Sequence, residues 1–186
     1  TVWNKAANTS TIVVYDKFLE KIQSTAENVG GKNVKLEWAG GNKIAVAQDD
    51  GSLYIYDSGK SGLAKIADDV KDFALADDSS ALAALEQGAL EVFFFNQDKD
   101  YYRFNLPQMS SAVYVSWYRD NGHLFVHYPR EVKFLDFKDG ALLNFATVAE
   151  TDAGKYAEKT NAFYFSDSKG LEKIQFPTYL AETSQS

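Results

Sequence analysis

Short apolar segments that end in a polar residue recur along this chain at a nearly constant interval. Val13-Val14-Tyr15-Asp16, Tyr54-Ile55-Tyr56-Asp57, Phe93-Phe94-Phe95-Asn96 and Lys133-Phe134-Leu135-Asp136 start at residues 13, 54, 93 and 133, which are 41, 39 and 40 apart. A second series, Ile44–Gln48, Leu82–Glu86, Leu124–Tyr128 and Phe163–Asp167, starts at 44, 82, 124 and 163, at intervals of 38, 42 and 39. A third leads each unit: Val34–Trp38, Lys71–Leu75 and Val113–Trp117. A weaker fourth, Leu63–Ile66, Tyr101–Phe104 and Leu142–Phe145, closes it. A fixed period of this size marks a supersecondary unit repeated in tandem. The segments are short, rich in β-branched and aromatic residues, and separated by Gly, Asn and Asp turns, so each unit reads as a four-stranded antiparallel meander.

The fold class that follows is all-β, with antiparallel four-stranded blades of a small or partial β-propeller of about four blades. Complete units fall at 34–69, 70–110 and 111–150 of one domain spanning 1–177. Residues 11–25 look like the last two strands of a unit, and 151–177 like the first strands of one. If the first completes the second, the ring closes without an exposed edge. Two stretches have a helical pattern. Asp78–Gly88 carries a cap-like start, and Leu19, Ile22, Ala26 and Val29 line one helical face before Gly30-Gly31. The repeat register makes the first a strand, and the second stands open as a short N-terminal helix. Residues 178–186, without an apolar pattern after Leu180, are expected to form a flexible tail.

The repeated order of a strand to Trp, an Asp-Asn-Gly turn, a strand, and a strand ending Tyr-Asp resembles TolB-like and WD40-like propeller repeats. Val115-Ser116-Trp117-Tyr118-Arg119-Asp120-Asn121-Gly122-His123-Leu124-Phe125-Val126 carries the resemblance most fully. It departs from the Trp-Ser-Pro-Asp-Gly run of TolB-like repeats at Tyr118 and Arg119. The C-terminal part is also similar to propeller-like segments that follow PEGA domains in bacterial surface proteins. This resemblance implies a bacterial module that is extracytoplasmic or at the cell surface, a cytoplasmic place standing as the alternative. It transfers no catalytic residue.

Composition narrows the chemistry. With no cysteine, the chain has no disulfide, Cys-ligated metal or thiol nucleophile. Its formal net charge of −7 and lack of a Lys/Arg run disfavour nucleic acid and anionic lipid. No apolar run reaches the ~20 residues of a membrane-spanning helix. The chain opens at Thr1 without Met and in mid-pattern, as expected of a domain taken from a longer protein.

No cofactor or metal is expected. His123 and His127, the only histidines, share a strand face four residues apart. That span of about 13 Å is too long for one zinc, whose ligands each lie about 2 Å from the metal. Asp49-Asp50-Gly51-Ser52 lacks the further acidic ligands of a calcium loop and reads as a hairpin turn, as does Asp139-Gly140. The pairs Asp68-Asp69 and Asp77-Asp78 fall between strands, where solvated charge is expected. No Gly-x-Ser-x-Gly elbow or P-loop occurs.

Trp117, Tyr118 and Arg119 have the residue mix of binding hot spots. Trp117 repeats the position of Trp38 and belongs to the core, whereas Tyr118 and Arg119 enter the turn and are expected to be exposed. The functional expectation is a non-catalytic interaction scaffold that binds a protein or glycan through its turns. The alternative is a carbohydrate-active or other hydrolytic propeller whose carboxylates converge in a central cleft. An open ring would favour a homodimer.

Overall fold

A computed structural model describes residues 2–4, 7–15, 18, 22–31, 33–39, 42–59, 62–95, 101–106 and 108–177. Asp16, Leu19, Gly40-Gly41, Asn96 and the tail at 178–186 lie outside the described residues. The chain divides into two compact units, Thr1–Val70 and Lys71–Ser186.

The first unit holds two antiparallel sheets. β1 (Val2–Asn4), β2 (Thr9–Tyr15) and β3 (Ile22–Gly30) pair in that order, as do β4 (Lys35–Trp38), β5 (Lys43–Ala47), β6 (Leu53–Asp57) and β7 (Gly62–Ala67). The segment with a helical apolar pattern is thus a strand, and the expected N-terminal helix is absent among the described residues. Its ladder explains the misleading spacing. Ser10 pairs with Val29 but Ile12 with Ala26, and Val14 pairs with Ser24 but Tyr15 with Ile22. Each bulge adds one residue to β3 and breaks the period of two by which a strand is recognised. Residues 11–25 contribute to a sheet of three strands rather than two. Ile12, Val29, Ile44, Val46 and Tyr56 form the core of this unit.

Tyr56 is fully buried, and its hydroxyl has no hydrogen-bond partner among the described residues. An unmet buried hydroxyl costs about 1–3 kcal/mol. Tyr56→Phe keeps the ring and removes that cost, so it is expected to raise unfolding stability by about 1 kcal/mol in a urea titration.

The second unit continues the repeat. Apart from Val70, its first sheet comprises β8 (Val70–Leu75), β9 (Ala81–Glu86), β10 (Leu90–Phe94) and β11 (Tyr101–Phe104). Its second comprises β12 (Tyr114–Trp117), β13 (His123–His127), β14 (Val132–Lys138) and β15 (Ala141–Ala149). A three-stranded sheet follows, β16 (Gly154–Ala157), β17 (Ala162–Asp167) and β18 (Gly170–Gln175). The Ala/Leu-rich β9 is a strand despite its helical propensity. Ala81 through Leu85 are all fully buried, whereas a helix would bury only one stripe.

β13 is buried at every position because its two faces serve two cores. Leu124 and Val126 join Ala83, Leu85, Leu90, Val92, Val115 and Trp117 on one side. Phe125 joins Phe134, Phe163, Phe176 and Tyr118 on the other. This double burial produces the continuous apolar runs that repeat every ~40 residues.

Turn chemistry follows the sequence closely. Asp50, Asp78, Asp120 and Asp167 each accept a hydrogen bond through Oδ1 from the amide two residues on, at 2.7–2.9 Å. Asp139 and Gly140 both have positive φ, 51° and 79°, as the two-residue turn between β14 and β15 requires. A Cβ at Gly140 would also lie 2.8 Å from the Tyr102 ring, so this glycine is needed twice over.

Candidate interaction face

The sequence cluster at residues 117–119 divides between core and solvent. Trp117 is buried and donates its indole N–H to the Ala74 carbonyl at 3.0 Å. Trp38, at the same repeat position, is 54% exposed, so the two are not equivalent in packing. Tyr118 is 1% exposed, contrary to expectation. Its amide donates to the His123 carbonyl at 3.1 Å, which carries the strand pattern one residue beyond β12. The ring therefore turns to the face opposite Trp117, against Phe134, Tyr156 and Phe176. Burial raises the pKa of its hydroxyl, although the hydrogen bond to Asn161 acts the other way. Only Arg119 of the three is exposed.

The histidines do not meet. His123 places Nδ1 2.8 Å from Asp120 Oδ1 and Nε2 3.3 Å from Asp136 Oδ1. His127, at the other end of β13, places Nε2 3.1 Å from Ser116 Oγ and stacks on Tyr114 at 3.8 Å. Among the described residues, no group of three or more acidic, His or Cys side chains is arranged to hold a metal ion.

Burial lowers the His127 pKa from 6.5 to about 4. The folded protein thus keeps this imidazole neutral while the unfolded chain takes up a proton below about pH 6.5. Its contribution is complete above that pH and is lost as pH falls toward 4. Stability is expected to drop by about 2–3 kcal/mol between pH 7 and 4.5. Denaturant titrations should show this slope, flattened in His127→Gln.

The acidic pairs are engaged in turns. Asp78 accepts from Ser80 N and from Asn121 Nδ2, and Asp68 pairs with Lys65. Cross-strand register does bring Glu86 and Glu91 together, with Arg103 bound to both, 2.9 Å from Glu86. Burial, then the Glu91 charge, raises the Glu86 pKa, while Arg103 opposes the shift. An arginine between the carboxylates closes this triad as an ion cluster.

Open space lies beside the β12–β15 and β16–β18 sheets. One groove of about 730 Å³ runs between the segment after β15 and the β17–β18 turn, lined by Glu150, Thr151, Asp152, Phe165, Asp167 and Lys169 among others. A second, of about 480 Å³, lies between the segment before β12 and the β13–β14 turn, with Tyr128, Arg130 and Glu131 on its wall. Glu150 lines both, so the grooves adjoin. Tyr114 pairs with His127 and Val132 with Ala149, which puts these turns and connectors at one end of the β12–β15 sheet. The 117–122 turn is at the opposite end.

The groove walls are fastened by hydrogen bonds. The Thr151 hydroxyl donates to the Ser166 carbonyl at 2.8 Å and accepts from Ala153 N at 3.1 Å. Lys71 Nζ holds the Ser110 carbonyl at 2.6 Å, and the Tyr114 hydroxyl donates to the Gly154 carbonyl at 3.2 Å. Sequence reasoning missed Arg130, Glu150 and Lys169. Arg130 and Lys169 sit in turns and Glu150 in the connector after β15, and only the periodic register could have placed these segments at a common end.

No family model matches the chain, and no curated protein matches it. Among solved structures it is similar to dihydro-heme d1 dehydrogenase NirN in complex with DHE, with a TM-score of 0.63 at 12% identity over 92% of this chain. It is also similar to the β-propeller domain of Cps50 (Swd1) from Myceliophteria thermophila, with a TM-score of 0.59 at 14% identity over 83% of this chain. The chain spans 40% and 54% of those two structures. At such identities the likeness is one of fold, and together with the tandem meanders it establishes an all-β, propeller-like arrangement of antiparallel sheets.

Proposed function

We propose that this chain is a non-catalytic interaction scaffold that holds an extended segment of a protein partner in the two adjoining grooves at the Glu150 end of the second unit. The carrying observation is a pair of grooves that share Glu150, with side-chain hydrogen bonds to backbone carbonyls holding the segments beside them, as a preformed site requires. Arg130 and Lys169, interspersed with Glu131, Glu150, Asp152 and Asp167, offer ion pairs to a peptide of mixed charge. The extracytoplasmic, bacterial surface setting remains part of this proposal and rests on the resemblance to TolB-like and PEGA-associated segments.

The test is selection of a random peptide library on the intact chain, followed by affinity measurement with variants. Glu150→Arg, in both grooves, is expected to weaken enriched peptides by about tenfold or more, the scale of one lost charge pair within an interface. Arg119→Glu, at the opposite end, should leave affinity unchanged. Loss on Arg119→Glu with none on Glu150→Arg would return the contact to the 117–122 turn. Failure to enrich any peptide would remove the reading.

A further inference from the structure

The nine residues of β15, Ala141-Leu142-Leu143-Asn144-Phe145-Ala146-Thr147-Val148-Ala149, include no charged side chain. β15 ends its sheet, pairing with β14 on one side only among the described residues. Six of its residues are exposed, with Leu142 at 43% and Leu143 at 61%. Natural proteins protect long edge strands with charge. The other last strands follow this practice, with Lys65 in β7, Arg103 in β11, and Glu172 and Lys173 in β18. β15 has only two bulges against β14, at Leu143 and Val148, between which Asn144–Thr147 stay in regular register.

We infer that β15 is a self-pairing edge, through which two copies of this chain join antiparallel strands about a two-fold axis at Phe145. A two-fold axis perpendicular to a sheet keeps each side chain on its own face, so facing residues must be separated by an even number and the axis passes through a residue. Centred on Phe145, the middle of the strand, the regular stretch between the bulges meets its own counterparts. Asn144 faces Ala146 and Phe145 faces its own copy, while the bulged Leu143 and Val148 lie near Thr147 and Leu142 of the second copy. No like charges meet and the apolar residues match. The same operation centred on the middle of β18 sets Glu172 or Lys173 against its own copy, which selects β15 as the dimer edge.

Sedimentation equilibrium of the intact chain tests this. A particle of twice 20.7 kDa is expected as concentration rises. Asn144→Lys with Ala146→Lys sets ammonium groups face to face and is expected to raise the dimer dissociation constant at least about tenfold, whereas Asn144→Lys with Ala146→Glu at the same exposed positions sets opposite charges face to face and should retain the dimer. Circular dichroism checks that both pairs fold, and Leu143→Lys serves as the disrupting variant if the double lysine does not. A strict monomer overturns the inference, as does a dimer indifferent to these changes. Equal loss with the Lys/Lys and Lys/Glu pairs overturns the register about Phe145.

Discussion

Asn161→Ala is expected to destabilise the second unit by about 3–5 kcal/mol, through three losses at one residue. Asn161 is 6% exposed, and its Oδ1 accepts hydrogen bonds from the hydroxyls of Tyr118 at 2.7 Å and Tyr156 at 2.8 Å. Its Nδ2 donates to the Phe176 carbonyl at 3.1 Å, which ties the residue after β18 to the start of β17. Alanine takes from the buried Tyr118 hydroxyl its Asn161 acceptor and from that carbonyl its Asn161 donor, each costing about 1–3 kcal/mol. The backbone adds a third term, because Asn161 has φ 46° and ψ 47°, a left-handed conformation that costs alanine about 1–2 kcal/mol. Urea unfolding of Asn161→Gly separates the parts. Glycine relieves only the backbone term and should recover about 1 kcal/mol of the loss. A total loss below about 1 kcal/mol for Asn161→Ala would show that the hydroxyls find other partners.

Phe125→Ala is expected to cost about 3–5 kcal/mol, the usual price of removing a fully buried aromatic ring. Phe125 is 0% exposed. Its ring centroid lies 5.0 Å from Phe163, 5.1 Å from Phe134, 5.4 Å from Tyr156 and 5.6 Å from Phe176. These rings come from the β12–β15 sheet, from the β16–β18 sheet and from the segment after it, so one truncation opens a cavity between two sheets. Packing of this density relaxes only in part around a void. Phe125→Leu fills most of the space and should lose less than half as much in the same titration. Equal losses would mean that the aromatic geometry, rather than the cavity, sets the cost.

The period of the chain was legible because the middle strands are buried on both faces. Leu82–Leu85 and Leu124–Val126 read as unbroken apolar runs, and Asp50, Asp78, Asp120 and Asp167 mark the turns by a local hydrogen bond that needs no tertiary information. β3 was hidden by its bulges, which replace a period of two with a spacing that suits a helix. The burial of Tyr118 was hidden for a related reason. Beside a core residue such as Trp117, the next position of an edge or half-exposed sheet faces water, but in a sheet covered on both sides it enters a second core. Asn161 gave no signal, because its partners at residues 118, 156 and 176 are brought together only by packing and its left-handed backbone is visible only in the fold. The grooves share this property. Arg130 and Glu150 belong to the third unit and Lys169 to the next, and their convergence depends on which ends of the strands carry which turns.

The most direct test of the interaction reading is a backbone amide shift map of the intact chain titrated with a peptide enriched against it. Shifts concentrated in 128–131, 149–153 and 166–169, with the 117–122 turn unmoved, are the predicted result. Shifts centred on Arg119 and its turn, with the Glu150 region silent, would contradict the placement of the contact face.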